Sequence, residues 1–130
     1  MATIFTRIIR GEIPCYKVAE NDDFLAFLDI RPMVKGHVLV VSKVEIDYIF
    51  DHDDATLAAI MPFSKRVAKA IEAVVPCQRV CIAVVGLEVP HTHLHLIPTN
   101  KMSDFNFKNH FKMSPDEMTE LAAAIAAKFE

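Results

Sequence analysis

The chain has 130 residues, 52% of them hydrophobic and only three of them glycine, which suffices for one compact domain spanning residues 1–130 and calls for no second. Its 14 basic and 17 acidic residues leave a net charge of −3 with no basic block, so no nucleic-acid partner is expected, while a small anionic ligand in a local pocket is compatible. The charged start Met1-Ala2-Thr3-Ile4-Phe5-Thr6-Arg7 and the lack of a membrane-length apolar run predict a cytoplasmic chain with no membrane partner, and Cys15, Cys77 and Cys81, without a CxxC pair, predict free thiols.

Ile4, Phe5, Ile8 and Ile9 predict one or two helical turns within residues 3–10, ended by Gly11 and Pro14. Residues 18–20 and 24–29 flank the turn signal Asn21-Asp22-Asp23 and predict an antiparallel hairpin. Pro32 and Gly36 bracket a loop, after which residues 37–41, apolar and β-branched, predict a central strand.

Asp53 or Asp54 can cap a long helix. Its buried face is predicted from Leu57, Ile60, Met61, Ser64, Val67, Ala68, Ile71 and Val75, with a kink at Pro62. Residues 79–85 and 92–97 predict two more strands, joined through Gly86 and Pro90. Ser114-Pro115-Asp116-Glu117 is a helix start with a cap, Pro at the first position and a Glu that can reach back. Met118, Leu121, Ala122, Ile125 and Phe129 form the apolar stripe of that last helix, about residues 115–129; packing on its own domain is expected ahead of a dimer contact. The sum is an α+β fold: a mostly antiparallel sheet of about five strands, covered on one face, with one long helix and a C-terminal helix.

The chemistry concentrates in Pro90-His91-Thr92-His93-Leu94-His95-Leu96-Ile97-Pro98. Side chains alternate along a strand, so residues 91, 93 and 95 share a face at intervals of roughly 6.5 to 7 Å. Two readings fit such a row equally on spacing alone: imidazoles gathered on a zinc ion, or one imidazole attacking phosphorus while the others hold the charge.

The segment resembles the signature of the histidine triad (HIT) family, His-φ-His-φ-His-φ-φ with φ apolar, from which only Thr92 departs. Three earlier stretches strengthen the likeness to the Hint-like nucleotide-binding branch: Ile4-Phe5-x-Arg7-Ile8-Ile9-x-Gly11-Glu12-Ile13-Pro14, Leu25-Ala26-Phe27-Leu28-Asp29-Ile30-x-Pro32 and Gly36-His37-Val38-Leu39-Val40. The match runs over about residues 3–98 and leaves a C-terminal extension.

The resemblance implies a HIT-like fold and hydrolysis or transfer at the α-phosphate of a purine nucleotide conjugate: a phosphoramidate, an acyl-adenylate or a dinucleoside polyphosphate. His93 would be the nucleophile and carry a covalent nucleotidyl adduct. The His91 carbonyl would fix its tautomer, and His95 and His37 would donate to phosphate oxygens. Asp29 would accept from ribose hydroxyls, and Phe5, Ile8, Phe27 and Ile30 would line the base. A homodimer is implied and no cofactor is required.

Departures from the pattern lie in the loop before the triad. It is short, has no asparagine between Arg79 and His91, and carries Glu88 where many relatives have Ser or Thr. Glu88 is a possible acid for the leaving group. A further family histidine is replaced near Glu45, which counts against a zinc site built from it. His52 and His110 fall outside the matched blocks and are expected at the surface. The alternatives are a nucleotide-binding module with little catalysis and a zinc protein that uses the histidine row.

Overall fold

The computed structural model describes residues 2–130. The first helix, α1 (Ile4–Ile9), is short because Gly11 follows with φ +79° and Pro14 shortly after; the Thr3 hydroxyl caps its start by accepting the Thr6 N–H. Two strands, β1 (Lys17–Glu20) and β2 (Phe24–Leu28), form the expected hairpin. Asn21 closes it, its side chain accepting from the backbone N–H of both Asp23 and Phe24.

β3 (Val38–Ser42) follows, and a 3-10 turn at Ile49–Asp51 leads to α2 (Asp54–Val74), capped by the Asp53 carboxylate. β4 (Arg79–Ala83) and β5 (His93–Thr99) complete an antiparallel sheet in the order β1-β2-β3-β5-β4. After a second 3-10 turn, α3 (Pro115–Lys128) opens with the reciprocal Ser114–Glu117 capping box.

Register sorts the sheet into two faces. Leu28, Val38, Leu96 and Ile82 form one cross-strand row and Phe27, Leu39, His95 and Ala83 the other. α2 and α3 cover the first face, joining Phe24, Val38, Val40, Leu94 and Leu96 to Phe63, Val67, Ile71, Leu121 and Ile125 in the main core. The sequence expectation of one covered face is corrected here. α1 lies on the second face over β2 and β3, where Phe5, Leu25, Phe27, Leu39 and Val41 form a second core. Over β5 that face carries His93 and His95.

Two details of α2 also differ from expectation. Phe63 and Ala70 are buried while Met61 is 49% exposed, because the helix turns its 60–63–67–70–71 stripe to the sheet and leaves Met61 at its margin. The helix runs unbroken through Pro62; Pro62 and Ala58 are both exposed, so the carbonyl that loses its partner can face water. α3 packs on α2 and β1 of its own chain. No helix among the described residues is long and apolar enough to cross a membrane.

Candidate active site

The row Phe27–Leu39–His95–Ala83 places His95 in mid-sheet, and the pair Val41–His93 places His93 one step along the same face. Their rings lie 5.1 Å apart, and both residues are buried. Spacing predicts three rings on one face; all three lie there, but α1 covers His91 and only His93 and His95 stand side by side. β5 begins at His93, and His91 sits in the preceding loop, 0% exposed, with its ring inserted between α1 and the end of β3.

The hydrogen bonds fix where each imidazole carries its proton. A carbonyl oxygen only accepts, so the His91 Nε2–H donates to Ser42 O at 2.6 Å; its Nδ1 then accepts the Thr3 hydroxyl at 2.7 Å. The same rule makes the His93 Nδ1–H donate to His91 O at 2.7 Å. His93 Nε2 is therefore bare in the neutral ring, the state a nucleophile needs.

A second chain of bonds sets His95. The backbone N–H of Met33 donates to His37 Nδ1 at 3.0 Å, so His37 carries its proton on Nε2 and donates to His95 Nδ1 at 2.9 Å. His95 Nε2 is thus the protonated nitrogen. Bare nitrogen on His93 and N–H on His95 stand side by side, an acceptor-donor pair suited to a phosphoryl centre. The expected direct donation from His37 to phosphate is corrected: His37 is buried, both its nitrogens are committed within the protein, and its effect reaches a ligand only through His95.

Burial favours the neutral ring in His37, His91 and His95. It pushes the titration of His37 and His91 below the ordinary histidine value, and it holds His95 down at about 4, helped by the neighbouring His37 and His93. Asp29, at the end of β2, has one carboxylate oxygen 2.9 Å from the Arg31 N–H and the other 3.6 Å from His37 Nε2. It is 20% exposed in its side chain, which leaves an acceptor face open beside the histidines.

Of the four residues expected along the base, Phe5 and Phe27 are buried and their rings meet at 5.9 Å. Phe5 also presents its ring to His93 at 4.9 Å and to His91 at 5.6 Å. Ile8 packs half-buried against this cluster and Ile30 is 70% exposed. Phe107, which the sequence pattern did not single out, lies edge-on to His95 at 5.1 Å, so aromatic rings bracket both ends of the histidine row.

Glu88 is exposed in the loop before His91 and is not buried against the histidines. His110 is exposed as expected. His52 is not: it is 7% exposed, and its Nε2–H donates to Thr92 Oγ1 at 2.9 Å, while the Thr92 hydroxyl donates to Ile46 O. Its position one residue before the α2 cap, exposed by pattern alone, is drawn inward by that contact. Also unforeseen were Met33 and Ser42, which act through backbone groups and leave no side-chain signature in a sequence.

Asp29, His37 and His95 offer three ligand atoms within 4.8 Å of one another. The donor set does not fit a metal as it stands, because the Met33 N–H on Nδ1 keeps the proton on the Nε2 that would have to be the ligand. His91 has neither nitrogen free, so the zinc alternative built on the triad row loses one of its three ligands.

A HIT domain family model matches residues 10–102. An adenosine 5′-monophosphoramidase of Schizosaccharomyces pombe is 36% identical over 136 residues, covering 100% of each chain. Among solved structures, a HIT-like protein involved in cell-cycle regulation from Bartonella henselae superposes with a TM-score of 0.84 at 30% identity, covering 97% of this chain and 95% of its own. A zinc-bound histidine triad family protein from Mycobacterium smegmatis gives 0.82 at 28% identity, over 99% and 94%.

Proposed function

Because the chain belongs to the HIT family, we propose that it is a nucleotide hydrolase or transferase acting at the α-phosphate of purine nucleotide conjugates through a covalent adduct on His93. The carrying observation is the 2.7 Å bond from the His93 Nδ1–H to His91 O, which leaves Nε2 bare beside the His95 N–H. His93 Nε2 attacks phosphorus, and the bond to the leaving nitrogen or oxygen breaks with its electron pair on that atom. The departing group takes a proton, for which Glu88, exposed in the loop before His91, is the proposed donor. Water then attacks phosphorus, giving a proton back to the Glu88 carboxylate as the bond to Nε2 breaks, and His93 is released with its lone pair restored.

His95 stabilises charge on the phosphate oxygens as the trigonal-bipyramidal centre forms, which is where preorganised donors contribute most. Asp29 suits a ribose because a carboxylate offers several acceptor sites to two adjacent hydroxyls. Phe5, Ile8, Phe27 and Ile30 supply the apolar wall for the base. A phosphoramidate is the first substrate to try, since that activity is in the name of the Schizosaccharomyces pombe relative.

The test is protein quenched during turnover and weighed by mass spectrometry. A nucleotidyl mass on His93 is expected, and His93→Ala should lose both adduct and turnover while still binding nucleoside monophosphate. Full activity in His93→Ala would refute the assignment; binding by the wild type without any adduct would mark a nucleotide-binding module.

A homodimer is part of the proposal. β4 is an edge strand, and a groove of about 510 Å³ runs between it and α2, lined by Met61, Pro62, Ala68, Val80, Ile82 and Leu96 together with the polar Ser64 and Lys65. Unpaired strand edges beside apolar surface favour association. Sedimentation at several concentrations checks this, with a monomeric mass throughout as the contrary result.

A further inference from the structure

Glu45 has no part in the chemistry above, yet it ends a run of hydrogen bonds that leads to His91. Its Oε1 accepts the Thr6 hydroxyl at 2.6 Å and the Thr3 backbone N–H at 2.8 Å. Thr3 Oγ1 accepts the Thr6 N–H at 3.1 Å as the cap of α1 and gives its own proton to His91 Nδ1 at 2.7 Å. Three separate pieces of chain meet here: the start of α1, the loop after β3 and the loop before β5.

The far side of the His91 ring is held by Ser42 O. With both nitrogens tied, the ring cannot turn, and the peptide carbonyl of the same residue is the group that receives the His93 Nδ1–H. We propose that Thr3 and Glu45 are positioning residues for His93, acting by clamping His91 so that its carbonyl stays aimed at His93 Nδ1 and the attacking Nε2 stays bare. This rests on His93 being the nucleophile.

Distance sorts the donors in the chain: Thr3 Oγ1 lies 3.3 Å from Thr6 Oγ1 but only 2.7 Å from His91 Nδ1. The Thr6 proton is taken by Glu45, so Thr6 cannot compete for His91 Nδ1, which lies 3.5 Å from it, and the Thr3 proton is left for that nitrogen. A carboxylate at position 45 does this well because it accepts from two donors at once and offers none. α1 is fixed by the same contacts, and α1 carries Phe5, whose ring edges His93 at 4.9 Å. The nucleophile is thus located from its carbonyl partner and from its aromatic neighbour by one network.

Loss of such a supporting contact typically lowers activity by about 10-fold to 100-fold. Thr3→Val, which keeps shape and removes the hydroxyl, should lower kcat about tenfold or more with KM little changed, and Thr3→Ser should restore it. Glu45→Ala should lower kcat several-fold, whereas Glu45→Gln, which still accepts through its amide oxygen, should stay near wild type. Nitrogen-15 spectra of the histidine rings give a readout that a mere loss of stability leaves alone. His93 should be the Nδ1–H tautomer in the wild type and a mixture of tautomers in Thr3→Val and Glu45→Ala, with melting temperature recorded for each.

The proposal is overturned if the wild type forms its His93 adduct while Thr3→Val or Glu45→Ala keeps wild-type kcat or an unmixed His93 tautomer. It is equally overturned if Thr3→Ser fails to rescue. Absence of the adduct in the wild type would instead remove the reading of His93 on which the proposal stands.

Discussion

His37 Nε2 lies 2.9 Å from His95 Nδ1, and the Met33 N–H, 3.0 Å from the other nitrogen of His37, gives that contact its direction. The pair follows from register: Leu39 sits opposite His95 on the neighbouring strand, and His37 is two residues before Leu39, on the same side of the chain. His37 therefore governs which nitrogen of His95 faces a ligand with its proton.

Replacing His37 by Ala should lower kcat about 10-fold to 100-fold with a smaller effect on KM, because His95 loses the bond that sets its tautomer. The Met33 N–H would also lose its acceptor in a buried position, at a cost of about 1 to 3 kcal/mol in stability. Steady-state kinetics with a phosphoramidate and urea unfolding check both. Wild-type kcat in a destabilised variant would show that His95 needs no help from His37.

Asp29→Asn should act on binding. With the open carboxylate oxygen replaced by an amide, affinity for a ribonucleotide should fall about tenfold, the size of one lost charge-assisted hydrogen bond. The measurement is a pair of KM ratios, wild type against variant, for a substrate with both ribose hydroxyls and for its 2′,3′-dideoxy analogue. The dideoxy substrate should show no difference between the two proteins. A tenfold loss on both substrates would mean that Asp29 acts through His37, 3.6 Å away, and not through ribose.

Residue pattern made most of the fold legible. The caps Asp53 and Ser114, the Asn21 turn and the apolar strands stand in the sequence with the local physics that forms them. The two-faced sheet was not legible, since a strand buried on both sides, such as β2, shows no alternation from which to read a second layer. In the site, His93 and His95 could be placed from period-two geometry. The covering of His91 by α1, the indirect role of His37 and the burial of His52 could not, because each depends on a partner more than 30 residues away or on a backbone N–H or carbonyl.

Gly36→Ala should destabilise the protein by about 2 kcal/mol or more. Its φ is +94°, and a Cβ there would lie 2.9 Å from Val75 Cγ2 and 3.2 Å from a Pro98 ring carbon, both on packed segments. Gly11→Ala is the comparison: φ is +79° with nothing within 4 Å, so only the backbone strain of about 1 kcal/mol applies. Urea midpoints rank the two. Equal losses would mean that the space around Gly36 yields freely.

Glu88→Gln separates a proton donor from an exposed loop residue. If Glu88 protonates the leaving group, kcat should fall about 100-fold on a substrate with a strongly basic amine and stay unchanged on one whose leaving group needs no proton. The two substrates are run over the same pH range. Equal turnover by both proteins on the basic amine would dismiss Glu88 and leave the proton to solvent.

Stability should fall in mildly acidic solution, before carboxylates are involved. His37, His91 and His95 all titrate below the ordinary value of 6.5 in the folded protein, His95 at about 4, chiefly because burial penalises the charged ring. Between the folded and unfolded values the unfolded chain binds more protons, so stability is complete above about pH 6.5 and is lost as pH falls towards 4. For His95 alone the loss at pH 5 is at most about 2 kcal/mol, less where water reaches the ring. Glu20, Glu45, Asp53 and Glu117, held below their ordinary range by hydrogen bonds, lose stability in the same direction but only at lower pH. Urea unfolding at pH 7.5, 6 and 5 should therefore show a steady drop in midpoint, and His95→Gln, which removes one of the three titrating rings, should show a shallower one. A flat midpoint between pH 7.5 and 5 would mean that the buried histidines accept protons in the folded state as readily as in the unfolded chain.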